Sequence, residues 1–109
     1  MPENYSVKVL NHYRNPRNFG ILKGATHTAS ELNPLCGDEI TVYLNVRGGK
    51  IKEMKYEARG CALMIAAASM LSENPEAADI EKLMGVKVGK GRKECVNLVL
   101  KAINHSLSS

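Results

Sequence analysis

The chain has 109 residues, 44% of them apolar, a net charge of +4, one Phe and no Trp. That length suits one domain over 1–109, with a core of aliphatic residues, Ala and Met. The charge permits an acidic protein partner but is too mild to argue for nucleic acid. No apolar run is long enough to cross a membrane. Met1 to Lys8 lack the apolar stretch of a secretory signal. Three cysteines are an odd number that disfavours a disulfide framework. A cytoplasmic protein with reduced thiols is expected.

Residues 5–14 read as a short amphipathic helix, with Tyr5, Val9 and Tyr13 spaced by four on one face. Asn15-Pro16-Arg17-Asn18-Phe19-Gly20 ends it through Pro and Gly. Residues 26–33 suit an edge strand. Asn33-Pro34-Leu35-Cys36-Gly37-Asp38 follows as a turn, placing a thiol and a carboxylate two residues apart around a glycine. Ile40, Val42, Leu44 and Val46 then alternate with Thr41, Tyr43 and Asn45, the period of a half-buried strand. Arg47-Gly48-Gly49-Lys50 is a tight hairpin, because Gly-Gly supplies the positive φ such turns need. Ile51 to Ala58 returns as the partner strand, with Ile51, Met54 and Tyr56 packing. The fold class is α+β, a three-stranded antiparallel sheet packed against about four helices.

Cys61 precedes Ala62 to Leu71, a run of strong helix formers in which only Ser69 is polar, so this helix should be buried on most sides. A thiol at that helix N-terminus is placed where unpaired amides and the helix dipole favour a thiolate. Ser72-Glu73-Asn74-Pro75 breaks the helix, and a polar helix over about 76–84 follows. Gly85, Gly89 and Gly91 space out a basic loop to Lys93, read as a partner-facing surface because it carries no phosphate-binding pattern. A last helix runs from Val96 to His105, with Cys95 at its start in the manner of Cys61.

A lone cysteine is ordinarily a small buried hydrophobe. Here all three lie at junctions between elements, and one has a carboxylate two residues away. Cys36, Cys61, Cys95 and Asp38 together offer four anionic ligands, suited to tetrahedral zinc or to iron bound through sulfur. The spacings, 36 to 61 and 61 to 95, match neither a zinc finger nor a ferredoxin run, and ligands dispersed one per element suit transfer better than a permanent structural metal. His12 and His27 are weak candidates as auxiliary ligands. His105, about 15 Å along the last helix from Cys95, should not reach the site. Met64 and Met70 are expected in the core.

Asn33-Pro34-Leu35-Cys36-Gly37-Asp38, Gly60-Cys61 opening an Ala/Ser/Met helix, and Cys95 at the last helix resemble the IscU/NifU-N/SufU family of iron–sulfur cluster scaffolds. Tyr5-Ser6-x-Lys8-Val9 and His12-Tyr13-x-Asn15-Pro16-Arg17-Asn18-x-Gly20 resemble it too, in the same order along nearly the whole chain. The resemblance implies three cysteines and the Asp clustered at one tip. It also implies a protein that takes sulfur from a cysteine desulfurase and iron, builds a transient 2Fe–2S cluster with a ferredoxin-like electron donor, and passes it to apo-proteins. Carried over, Cys36, Cys61 and Cys95 are ligands for cluster, iron or zinc. Asp38 is the weaker, exchangeable ligand, Cys95 and Cys36 are persulfide-acceptor candidates, and Tyr5 assists scaffold contacts or sulfur transfer. A monomer or weak homo-oligomer fits.

The chain departs from the pattern in three places. Glu94 stands where IscU-type members carry His before the third cysteine. Val86 to Arg92 replaces the Leu-Pro-Pro-Val-Lys segment gripped by a DnaK-type chaperone, which argues against chaperone-driven release. Arg92, three before Cys95, resembles the zinc-binding, sulfur-relaying SufU arrangement, although SufU's longer insertion between the second and third cysteines is missing. Two alternatives therefore stand beside the scaffold: a zinc-dependent sulfurtransferase stimulating a desulfurase, and a small protein with a purely structural zinc.

Overall fold

A computed structural model of the chain describes residues 7–34, 37–75, 83–84 and 90–108, with residues 90–92 as backbone alone. In order, the elements are α1 (Val7–Arg14), β1 (His27–Asn33), β2 (Asp38–Arg47), β3 (Lys50–Arg59), α2 (Ala62–Glu73) and α3 (Lys90–Ser108). The three strands form one antiparallel sheet in the order β1-β2-β3, as the alternation along β2 and the Gly-Gly turn predict. Gly48 and Gly49 both have positive φ, 59° and 77°, closing Arg47 onto Lys50. The register shifts between Asn45 and Val46, so Asn45 pairs Glu53 while Val46 pairs Ile51. Lys52 is the extra residue of this bulge, and it lets Ile51 face the same side as Met54 although they differ in parity.

One face of the sheet carries Ile40, Val42, Leu44, Met54 and Tyr56, all buried. The α3 helix packs over β1 and β2, α2 over β3, and α1 against α2. The opposite face is polar and partly exposed: Tyr43 Oη donates to Glu57 Oε1 at 2.6 Å, and the Ser30 and Thr41 hydroxyls lie 2.7 Å apart. The α2 helix is the centre of the core. Leu63, Met64 and Ala66 to Ser72 are all buried, and its alanines let α1, α3 and the sheet approach closely from different sides. Met64 and Met70 lie in the core as expected.

The first helix buries a different stripe from the expected one. Val9 and His12 point inward, whereas Tyr13 is exposed, because the His12 ring reaches α2, where its Nδ1 lies 2.7 Å from Ser69 Oγ. Tyr5 lies outside the described residues. The Asn15-Pro16-Arg17-Asn18-x-Gly20 segment does more than stop the helix. The Arg17 amide donates to Ser69 Oγ at 2.9 Å, and Asn18 Nδ2 donates to Ser72 Oγ at 3.0 Å. Gly20 and Asn18 exchange backbone bonds with Tyr56, so the segment runs parallel along the free edge of β3. The two serines of α2 are thus the buried polar partners of this loop.

The last helix begins at Lys90 rather than Val96. Lys, Arg and Glu are good helix formers, and one Gly among them costs only about 1 kcal/mol. The buried stripe Cys95, Val96, Val99, Ala102, Ile103 and Ser106 holds the rest on the sheet. Residues 90–93 of the expected basic loop are therefore helical. Residues 85–89 lie outside the described residues, as does most of the expected helix over 76–84. Leu83 and Met84 are described, both are helical, and Met84 is fully buried. Among the described residues no helix is long and apolar enough to cross a membrane.

Candidate thiol and carboxylate site

Asn33 is the last residue of β1 and Asp38 the first of β2, and the two pair across the strands. The connection between them is tightened by Gly37, which has φ +75° and donates its amide to Asn33 O at 2.8 Å. That bend is the one expected of a glycine between thiol and carboxylate. Leu35 and Cys36 belong to this connection in sequence and lie outside the described residues. Asp38 continues the inward set of β2 two residues before Ile40. Its side chain therefore faces the core, and the residue is only 4% exposed.

Next in space comes the corner between β3 and α2. Cys61 is the N-cap residue of α2, with extended backbone and no capping bond from its own side chain. Asp38 supplies a carboxylate instead: Oδ1 accepts from the Cys61 amide at 3.3 Å. A negative group at a helix N-terminus is favoured by the dipole. The other oxygen, Oδ2, is buried without a hydrogen-bond partner, an arrangement that costs free energy unless something else uses that lone pair.

Cys95 closes the group from α3. One donor atom each from Asp38, Cys61 and Cys95 lie within 4.8 Å of one another. Tetrahedral zinc, with Zn–S of about 2.3 Å, would hold its donors roughly 3.7 Å apart, so small side-chain movements suffice. Two thiols and an unpaired carboxylate oxygen have the donor chemistry for zinc or iron. Cys61 and Cys95 are free thiols.

Cys95 is not at its helix's start, as its position after a glycine-bearing turn suggested. It is the sixth residue of α3, in the second turn, beyond the unpaired amides that would favour a thiolate. Burial, followed by the Asp38 carboxylate and Cys61 sulfur beside it, pushes the Cys95 thiol well above its ordinary pKa. The protonated thiol is the favoured form until a cation arrives.

The histidines lie apart from this group. His12 is held by Ser69, His27 Nδ1 lies 2.8 Å from Thr26 Oγ1, and His105 Nδ1 lies 2.8 Å from Glu31 Oε2 on β1. A separate shallow depression of about 430 Å³ is lined by residues including Phe19, Glu39, Thr41 and Arg59, and neither Cys61 nor Cys95 is among its described lining residues. Gly60 is the contributor that residue-type reasoning passed over. It precedes Cys61, and a side chain on it would collide with Asp38. Its only sequence signal is a glycine immediately before a thiol at a strand-to-helix junction.

The NifU-like N terminal domain family matches residues 4–108. The chain belongs to that family. It is 32% identical to an iron–sulfur cluster assembly scaffold protein IscU of Archaeoglobus fulgidus, over 94% of this chain and 74% of the relative. It is 33% identical to the zinc-dependent sulfurtransferase SufU of Bacillus subtilis, over 75% of this chain and 55% of that protein. The fold is similar to the crystal structure of the N-terminal part of a NifU-like protein from Brucella abortus, with a TM-score of 0.78 at 22% identity, covering 96% of this chain and 92% of the other. The NifU-like fold expected from the motifs is thus the fold observed.

Proposed function

We propose that this NifU-like domain is a cytoplasmic scaffold on which a 2Fe–2S cluster is assembled and from which it is handed to apo-proteins. The observation that carries this reading is the convergence of Asp38, Cys61 and Cys95 within 4.8 Å, each from a different element and one of them offering a buried, unpaired oxygen. With Cys36, the set supplies the four ligands a 2Fe–2S cargo needs. The relationship to an IscU scaffold supports the same reading.

Sulfur arrives as a persulfide on a cysteine desulfurase. A scaffold thiolate, Cys36 or Cys95, attacks its terminal sulfur, the S–S bond breaks, and the desulfurase thiolate leaves. Cys95 is 9% exposed and held protonated by its surroundings, so it acts only once its proton has been displaced. Each transferred sulfur needs two electrons to become sulfide. Ferrous iron gives one per iron, and a ferredoxin-like donor gives the rest. Asp38 is the exchangeable ligand, since a hard carboxylate holds iron in a sulfur-rich site less firmly than a thiolate. A DnaK-type chaperone is not required in this scheme.

A second reading is a zinc-dependent sulfurtransferase that accepts persulfide sulfur and stimulates a desulfurase. Its specific support is Arg92 standing three residues before Cys95 in one helix, with Glu94 in place of His, together with the relationship to SufU. Anaerobic reconstitution with ferrous iron, cysteine and a desulfurase separates the two. The scaffold yields 2Fe–2S optical and Mössbauer signatures that move to an apo-ferredoxin. Tightly held zinc with raised desulfurase turnover and no cluster would establish the sulfur relay instead.

A further inference from the structure

Gly60 has a second property beyond ending β3. A Cβ built on it would lie 2.5 Å from Asp38 Oδ1, 2.7 Å from Asp38 Cγ and 2.8 Å from Met64 Cε. Real Cβ atoms do not approach that closely, so something must shift. The Met64 methyl is the far end of a flexible chain and can swing aside. The Asp38 carboxylate sits on a short side chain at the start of β2, buried, with one oxygen on the Cys61 amide. It cannot turn away without breaking that bond and moving its free oxygen relative to Cys61 and Cys95.

We propose that Gly60 is a positioning residue: the missing side chain is the space in which the Asp38 carboxylate lies against the β3–α2 corner, one oxygen on the Cys61 amide and the other free as a metal or cluster ligand. The inference rests on the scaffold reading for its purpose and on the Gly60–Asp38 contact for its geometry; the Gly60 φ of +157° strains any side chain there as well, a cost shared by every variant that carries Gly60→Ala. Gly60 touches no metal in this scheme and acts only through Asp38. Substitutions at groups that orient a ligand typically cost about 10- to 100-fold in metal affinity, and that is the loss expected of Gly60→Ala.

The test compares the full chain with Gly60→Ala, Asp38→Ala and the double variant. Zinc affinity is measured by competition with a chromophoric chelator, cobalt(II) ligand-field spectra report the donor set, and the Cys61 amide shift and exchange rate are read by NMR without metal. Gly60→Ala should bind zinc about 10- to 100-fold more weakly, show the cobalt spectrum of Asp38→Ala, and lose Cys61 amide protection as Asp38→Ala does. In the Asp38→Ala background the glycine change should add almost nothing, since non-additivity marks a shared contact. An unchanged affinity and unchanged Cys61 amide in Gly60→Ala would overturn the proposal, as would a full extra loss in the double variant. If Gly60→Ala does not fold, any gain of helicity on adding Asp38→Ala supports the contact, since the strain of a side chain at φ +157° is common to both variants, and no gain refutes it. A wild-type chain that binds neither metal overturns the scaffold reading, while the amide measurement still decides the role of Gly60.

Discussion

Asp38 Oδ1 lies 3.3 Å from the backbone nitrogen of Cys61, so the carboxylate that opens β2 caps the helix that Cys61 begins. One side chain therefore serves the fold with one oxygen and is free to serve the site with the other. Asp38→Ala should cost about 0.5–2 kcal/mol of stability, the usual loss for an N-terminal cap. It should also leave an apolar wall where an incoming acceptor would displace the exchangeable ligand. A reconstituted cluster is then expected to persist longer and to transfer more slowly to apo-ferredoxin. Transfer at the wild-type rate would remove Asp38 from that role.

Cys61→Ser separates site from fold. The Cys61 side chain makes no capping bond, and serine is a favoured N-cap residue, so α2 should form at least as well. Metal affinity should fall by at least the roughly 10- to 100-fold that even supporting groups cost, and cluster retention should be lost. Far-ultraviolet circular dichroism before and after chelation is the control. The apolar core of α2, α3 and the sheet should keep the chain folded without metal, whereas melting on chelation would identify a structural zinc.

Ser69→Ala should behave in the opposite way. Ser69 Oγ serves both His12 Nδ1 and the Arg17 amide. Its loss leaves these groups unsatisfied between α1 and α2, at about 1–3 kcal/mol for each buried group. The melting temperature should fall while zinc affinity stays unchanged. Weakened zinc binding in a folded Ser69→Ala protein would mean that the loop over residues 15–20 also shapes the thiol site.

His12 makes the docking of α1 sensitive to pH. Burial, then Arg17, and more weakly Lys8, lower its pKa, against a smaller opposing effect of Glu73, whose carboxylate lies 3.7 Å from Nε2. A histidine whose folded pKa is depressed stabilises the fold fully above its unfolded value of about 6.5, and that contribution is lost as pH falls below it. The thermal stability of the wild type should fall more steeply than that of His12→Asn as pH drops below about 6.5. The variant should be less stable near neutrality but flatter with pH. Equal slopes would exclude His12 as the responsible group.

Much was legible because it is periodic or stereochemical. The alternation of Ile40, Val42 and Leu44 dictates a strand with one buried face, and Asp38 lies on that face because it is two residues further back in the same period. Gly48-Gly49 determines the hairpin, and the Ala/Met run from Ala62 determines a buried helix beginning at Cys61. The grouping of Cys36, Cys61, Cys95 and Asp38 came from residue type and expected element junctions; Asp38 and Cys61 lie at such junctions, Cys95 lies inside its helix, and Cys36 is outside the described residues. By contrast, the inward turn of His12 rather than Tyr13, and the extension of α3 back to Lys90, depend on surfaces contributed by distant elements. A helical periodicity cannot announce that a serine 57 residues away awaits the histidine.

By itself the sequence determined the strands, the hairpin, the central helix and the donor chemistry, because these follow from local propensity and spacing. Only the tertiary structure decided that Asp38 and Cys61 share a hydrogen bond, that Cys95 is a buried thiol inside a helix rather than a dipole-activated one at its start, and that Gly60 makes room for a carboxylate. Those are properties of contacts between segments 22 or more residues apart. Burial and hydrogen bonding are set by what folding brings alongside a residue, not by its neighbours in the chain.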